Sequence, residues 1–461
     1  MNKLDMGFID TATLERLLDE GSKMPADRIE RILDKAEMAR GLEPREAAAL
    51  VQVSDPELTA RMYETARIVK DRIYGKRIVL FAPLYISNYC VNDCRYCGYR
   101  RSNQIPRRRL ELDEIRGEVE ALEQMGHKRL ALETGEDPVN CPLEYVLKAI
   151  DAVYSVKAKN GEIRRVNVNI AALDEDGYRK LKNAGIGTYV LFQETYHRPT
   201  YEFMHSSGPK RNYDWHLYAM DRAMRAGIDD VGIGVLYGLY DWKQETLALL
   251  YHAEHLEQTF GVGPHTISVP RLRSATGVRL SDYPHLVDDD SFRRLVAVLR
   301  LAVPYTGLIL STRERPAFRD EIIRYGISQI SAGSRTGVGG YREGEESDQF
   351  AVDDHRTPKE VLLSLCESGQ LPSYCTACYR QGRTGDRFMQ LAKTGEIKNV
   401  CLPNAILTFK EYLLDYADDE LRTAGEAVIE SSLSEIPSPK IREETEVRLR
   451  RLESGERDLY L

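Results

Sequence analysis

Residues 77–100 read RIVLFAPLYISNYCVNDCRYCGYR, and this stretch decides the fold. Upstream of Arg77, apolar residues recur at three- and four-residue steps, as in ATLERLLDEG, ADRIERILDKAEMA and PELTARMYETARIVKDRIYG. Residues 1 to about 74 therefore read as a helical extension. RIVLFAPLYIS breaks that period with β-branched and aromatic residues and predicts a strand. Three cysteines follow it, Cys90, Cys94 and Cys97, spaced C-x3-C-x2-C.

Working outward, further strands are predicted near 128–134, 164–170, 187–193, 229–236, 265–271, 307–312 and 327–331. Amphipathic stretches such as LDEIRGEVEALEQMG, EYVLKAIDAVYSVKAKN and DSFRRLVAVLRLAV lie between them. Strands alternating with helices in this way predict an α/β fold with a (β/α)8 TIM-type barrel over residues 75–335. Periodicity does not report closure, so a doubly wound open sheet is the alternative. SAGSRTGVGGYREGEESDQF, which follows, reads as a loop leaving the barrel. Residues 336–461 are then mainly helical, with TPKEVLLSLCESG and NAILTFKEYLLDYADDELRTAGEAVIESSL as the clearest segments.

Apolar residues make up 42% and charged residues 30% of the 461, an ordinary globular balance. No apolar run approaches the ~18 residues of a membrane span, and the start has acidic residues where a secretory signal needs basic ones. The chain reads as cytoplasmic, with no membrane partner. A net charge of −8 argues against nucleic-acid binding. The basic run Arg107-Arg108-Arg109 reads as a solvated loop ahead of a helix. Eight cysteines in a large intracellular chain point to metal or redox chemistry. Six form two triplets, while Cys141 and Cys366 stand alone and read as small buried residues.

Three clustered thiolates suit a cubane iron–sulfur cluster, holding three irons and leaving the fourth open. Structural zinc is the alternative, but it takes four ligands, and no fourth Cys or His lies nearby. Here the sequence resembles the radical SAM superfamily, in which S-adenosylmethionine (SAM) chelates the open iron and releases a 5′-deoxyadenosyl radical. The resemblance implies roles at successive strand ends. Tyr96 is expected along the adenine, Thr134, Gly135 and Glu136 of LETGED at the methionine amino group, and Glu194 of FQETYH at the ribose. GIGVLYGL (232–239) is similar to a segment whose backbone lies near adenine. Relatives often place an arginine for the SAM carboxylate ahead of the fifth strand, where this chain has His216.

The second triplet is Cys375, Cys378 and Cys401, a C-x2-C-x22-C pattern. A redox pair does not need Cys401, and zinc again lacks a fourth ligand. A second open-cornered [4Fe-4S] cluster fits three ligands. With it, the whole chain resembles the radical SAM tyrosine lyases of [FeFe]-hydrogenase maturation. The related lyases of thiamine synthesis share the barrel motifs and stop at dehydroglycine; a non-catalytic zinc-binding barrel protein is the alternative of another class.

The resemblance implies cleavage of the Cα–Cβ bond of L-tyrosine to p-cresol and dehydroglycine. Conversion of that fragment to CO and cyanide would follow at the auxiliary cluster, whose extra iron is expected to take His265 as a ligand. It also implies hydrogenase-maturation partners and a reductant such as ferredoxin or flavodoxin. His265 begins the sixth strand, so by barrel geometry it belongs to the mouth opposite the strand ends. For the tyrosine carboxylate the candidate cations are Arg313 and then Arg271, with Ser331 as a polar neighbour.

Overall fold

RIVLFAPLYIS is strand over its whole length, Arg77–Ser87 (β1), and nearly all of it is buried. The protein, a computed structural model, is described over residues 7–158, 161–344 and 347–461. After β1 come β2 (Arg129–Thr134), β3 (Arg165–Asn169), β4 (Tyr189–Val190) and β5 (Val231–Gly234). They are followed by β6 (Thr266–Ser268), β7 (Gly307–Leu310) and β8 (Gln329–Ser331). Each pairs in parallel with the next, and β1 pairs with both β2 and β8. The sheet is closed, so the barrel holds and the open doubly wound alternative falls.

The strands β4 and β6 are shorter than their sequence patterns. Beyond Val190 the backbone stays bonded to the β5 segment, Leu191 N to Gly232 O (3.0 Å) and Gln193 N to Gly234 O (3.1 Å), as far as Glu194, whose φ of +69° no regular strand accommodates. After Ser268 it continues as an isolated pairing of Tyr237 with Arg271.

A ninth strand, β9 (Leu371–Ser373), was not legible as one. Val79 pairs with Gln329 of β8 on one edge and with Ser373 of β9 on the other. β2 takes that second edge higher up, from Ala82 to Ser87. β9 thus fills the lower part of the β1–β2 seam and brings Cys375 under the barrel.

Side chains alternate across each strand, and this sorts the interior into levels. β1 sends Arg77 and Val79 to a lower cavity and Phe81, Pro83 and Tyr85 to an interior one. β2 sends Arg129 down and places Ala131 and Glu133 in the interior. Along β7 and its continuation, Gly307 is low, Ile309 and Ser311 are interior, and Arg313 reaches the upper cavity as well. Barrels of this kind are usually filled by branched side chains. Here Ala131, Ser268, Ser311 and Ser331 leave space at the centre.

The N-terminal helices Thr11–Ser22 and Pro56–Ile73 pack on the barrel helices Trp242–Phe260 and Asp289–Ala302. The segment after β8 does not leave the barrel as its sequence suggested. It crosses the upper mouth, where Tyr99 Oη donates to Thr336 O (2.5 Å) and Gly98 N to Gln349 O (2.9 Å). Within it, Glu345 and Glu346 lie outside the described residues. Helices Lys398–Tyr416 and Asp419–Ser434 then pack beside β9. Among the described residues no helix is long and apolar enough to cross a membrane.

Candidate active site

The loop after β1 is held by a residue whose sequence suggested only a solvated charge. Arg107 donates to the carbonyls of Asn88 and Tyr99 (both 2.7 Å) and of Arg100 (2.7 Å) and Asn103 (3.1 Å). Its guanidinium thereby fixes both flanks of the cysteine triplet. Cys90, Cys94 and Cys97 line the upper cavity together with Tyr96, Thr134, Gly135, Glu136, Glu194 and His216. The triplet and every strand-end residue tied to it by resemblance therefore meet in one place.

Local contacts explain several of these residue types. Gly135 N donates to Ser87 O (3.1 Å), and a Cβ on Gly135 would lie 2.3 Å from Tyr89 O; only glycine fits there. Glu136 accepts from Asn92 Nδ2 (2.5 Å). Tyr96 Oη donates to His205 Nε2 (2.8 Å), because His205 Nδ1–H is committed to Tyr201 O (2.8 Å). Burial holds that imidazole neutral, its pKa lowered to about 3. Leu236, from the 232–239 segment, also lines the cavity, its N–H bonded to Glu194 O (2.9 Å).

His216 does not supply the cation its position suggested. Its Nε2–H is spent on Phe192 O (2.8 Å), and burial drives its pKa well down. Lys210, which sequence reading missed, is the cation at this wall. Its Nζ lies 2.7 Å from Glu194 Oε1 in a nearly buried pair. Burial works against its charge, but Glu194 and Cys94 outweigh it and raise its pKa. Its segment, SSGPKRNYDW, reads as an ordinary exposed turn; no local pattern marks it.

The interior cavity shares Glu133, Asn169, Phe192, Arg313, Gln349 and Phe350 with the upper one. Arg313 is half-buried over the Phe350 ring with its Nη1 donating to Arg271 O (3.4 Å), and desolvation lowers its pKa to about 10. Among the described residues no carboxylate lies within ion-pair distance of it. Ser331 lines the same cavity. Arg271 does not. It is consumed by Glu314 (Nε to Oε1, 2.9 Å) and by Asp289 (Nη1 to Oδ1, 2.9 Å), which leaves Arg313 as the candidate with no carboxylate partner among the described residues.

At the opposite mouth Cys375, Cys378 and Cys401 line the lower cavity with His265, Arg77, Arg129 and Tyr379. Gln329 is shared with the interior cavity, so the three spaces follow one another along the barrel axis. The span from Val79 to Tyr85 is roughly 20 Å at strand rise. His265 Nε2 meets Tyr379 Oη (3.2 Å), and its Nδ1 faces Asp230 (3.4 Å). Burial keeps it neutral, its pKa lowered to about 4, the state in which imidazole binds metal. Cys378 donates to Cys401, and Arg77 and Arg383 favour thiolate on Cys401.

The upper triplet passes a chemical test of fit for an iron–sulfur cluster. Burial pushes the Cys94 thiol up and Cys97 to about 11, so these groups become thiolates readily only beside a metal cation. Among the described residues no three His, Cys, Asp or Glu side chains converge tightly on a single-ion position; each triplet instead rings a space. Cys141 is buried with its sulfur 3.0 Å from Thr134 Oγ1, and Cys366 is buried in helix Pro358–Glu367.

Comparison with known proteins accords with this layout. A crystal structure of HydG, a maturase of the [FeFe]-hydrogenase, superposes with a TM-score of 0.97 at 61% identity, covering 99% of this chain and 100% of that one. The chain belongs to the HydG family. A second HydG structure, from Carboxydothermus hydrogenoformans, gives a TM-score of 0.83 at 42% identity over 95% of this chain and 98% of that one. The 2-iminoacetate synthase of Escherichia coli (strain K12) is 33% identical over 76% of this chain and 90% of its own length. Residues 84–251 match the Radical SAM superfamily and residues 268–370 the Biotin and Thiamin Synthesis associated domain. As a HydG-family radical SAM enzyme, the protein works with a [4Fe-4S] cluster and SAM.

Proposed function

We propose that the protein is a tyrosine lyase of [FeFe]-hydrogenase maturation that works at both mouths of its barrel. It cleaves the Cα–Cβ bond of L-tyrosine to p-cresol and dehydroglycine above, and the fragment gives CO and cyanide below. The observation that carries this reading is the succession of three cavities, cysteine-lined at each end and joined through residues common to neighbours.

In this reading Cys90, Cys94 and Cys97 hold the SAM cluster, and Cys375, Cys378 and Cys401 hold an auxiliary [4Fe-4S] cluster with His265 as ligand to an extra iron. When bound and reduced, the upper cluster with SAM supplies a 5′-deoxyadenosyl radical able to remove a substrate hydrogen. The protein's part is placement. Thr134, Gly135 and Glu136 receive the methionine amino end, Tyr96 the adenine and Glu194 the ribose. Lys210, which lines the same cavity, would supply the cation for the SAM carboxylate.

Arg313 takes the tyrosine carboxylate, since a guanidinium lining the cavity with no described carboxylate beside it forms its strongest bonds with one. Tyr85, bonded to Gln349 (2.8 Å), and Phe350 wall the substrate from water. Electrons come from a low-potential carrier such as ferredoxin or flavodoxin, and the product passes to other hydrogenase-maturation proteins.

The test is anaerobic reconstitution with iron and sulfide, then dithionite, SAM and tyrosine, with p-cresol and CO assayed together. Both products are expected. Cresol and glyoxylate without CO would point to a lyase of the thiamine type. Two zincs and no sulfide would overturn the reading altogether.

A further inference from the structure

Among the described residues that line the central cavity there is one carboxyl side chain, Glu133, and one guanidinium, Arg313. Glu133 is the last inward-facing residue of β2, two places above Ala131 and next to Thr134. Its position follows from strand alternation, and the methionine-binding reading of LETGED passed over it. The side chain is half-buried, and its polar partner is Asn169 on β3. Arg313, from the end of β7, faces it across the cavity without forming an ion pair; no described carboxylate lies within that distance of Arg313. An acid and a base left apart in a buried site are each costly on their own. They become complementary when a zwitterion sits between them.

We propose that Glu133 receives the ammonium of the substrate tyrosine while Arg313 holds its carboxylate, so that the pair selects a free α-amino acid. This rests on the tyrosine reading above and adds the residue that reads the amino group. The apolar and aromatic remainder of the cavity, Phe81, Tyr85, Phe192 and Phe350, is left for the phenol ring. The contact also explains why an acid is tolerated here. Burial raises the Glu133 pKa to about 8, with Arg313 and Asn169 opposing the rise. The empty site therefore keeps a neutral acid at pH 7 and gains its charge when the ammonium arrives.

The groups facing Glu133 are Arg313 from β7, Tyr85 from β1 and Asn169 from β3. Burial moves Tyr85 well above its ordinary range and leaves Arg313 protonated below pH 9. Between pH 6.5 and 8.5 the carboxyl of Glu133 is thus the member of this set that changes charge.

The experiment is equilibrium binding to the anaerobically reconstituted holoenzyme with SAM and no reductant. The ligands are L-tyrosine and 3-(4-hydroxyphenyl)propanoate, which lacks the amine. In the wild type, tyrosine should bind more tightly as pH rises from 6.5 to 8.5, and the amine-free ligand less tightly. Glu133→Gln should weaken tyrosine about 10- to 100-fold, leave the amine-free ligand as tight or tighter, and abolish both pH trends. Glu133→Asp, which keeps the charge, should retain part of the preference for tyrosine.

Equal weakening of both ligands, unchanged tyrosine affinity, or loss of SAM affinity in place of tyrosine affinity would overturn the assignment. A wild type that binds SAM but neither tyrosine nor its analogue would instead bring down the substrate reading on which it stands.

Discussion

Replacing Gly135 with alanine tests the upper site with a single methyl group. The Cβ would stand 2.3 Å from Tyr89 O and 3.1 Å from the Cβ of Cys90. Comfortable carbon contacts begin near ~3.5 Å, so the Tyr89–Cys90 backbone must retreat by roughly 1 Å. Gly135 is not among the glycines with positive φ, so the substitution carries no backbone strain and the collision is the whole effect. Overpacking of this kind costs about 1–3 kcal/mol. A misplacement of ~1 Å at a reacting centre costs about 100-fold in rate.

Gly135→Ala should therefore fold, with a modestly lowered denaturation midpoint, and lose about two orders of magnitude in p-cresol formation. Gly263→Ala is the control, because its nearest neighbour would be 3.7 Å away and surface changes of that kind stay within about 0.5 kcal/mol. The assay is p-cresol release under saturating SAM and tyrosine, with iron content and SAM affinity measured on the same samples. Wild-type rate and SAM affinity in Gly135→Ala would refute the argument that the β2 loop and the cysteine loop share this contact.

Other outcomes follow from the same geometry. Lys210→Met leaves Glu194 buried and unpaired, which should cost about 3–5 kcal/mol in denaturant unfolding and weaken SAM binding measured at equilibrium. Arg313→Met should weaken tyrosine about 10- to 100-fold without lowering the midpoint, since no described carboxylate loses a partner. His265→Ala, assayed for both products, should release p-cresol at the wild-type rate while CO is lost. Cys375→Ala should behave the same way, and parallel loss of p-cresol in either would contradict the separation of the two sites.

The barrel was legible because β1, β2 and the helices between strands carry strong periods, and the cysteine spacings singled out the two triplets that line the upper and lower cavities. What escaped reading depended on contacts distant in sequence. Leu-Pro-Ser of β9 has no period of its own; β1, almost 300 residues earlier, makes it a strand. Arg107 looks like surface charge until the four carbonyls around it are seen. Lys210 sits in a turn of ordinary composition and acquires meaning through Glu194. Glu133 was within reach, since counting alternate residues along RLALET points it inward. Arg271 was the opposite case. A strand-end arginine resembles a ligand in sequence, and the Glu314 that neutralises it is 43 residues away.

The placement of β9 has a bearing on how the protein is made. Its partner residues on β1, Arg77–Val79, leave the ribosome long before Leu371–Ser373. At bacterial or eukaryotic synthesis rates of ~5–20 residues per second, the interval is about 15–60 s. For that time the lower seam beside β1 stays unsealed, even as the strands above it begin to assemble. The first cysteine loop is thus complete in a nascent chain that has no floor. β9 is the closing stitch, set only after all eight barrel strands have been made.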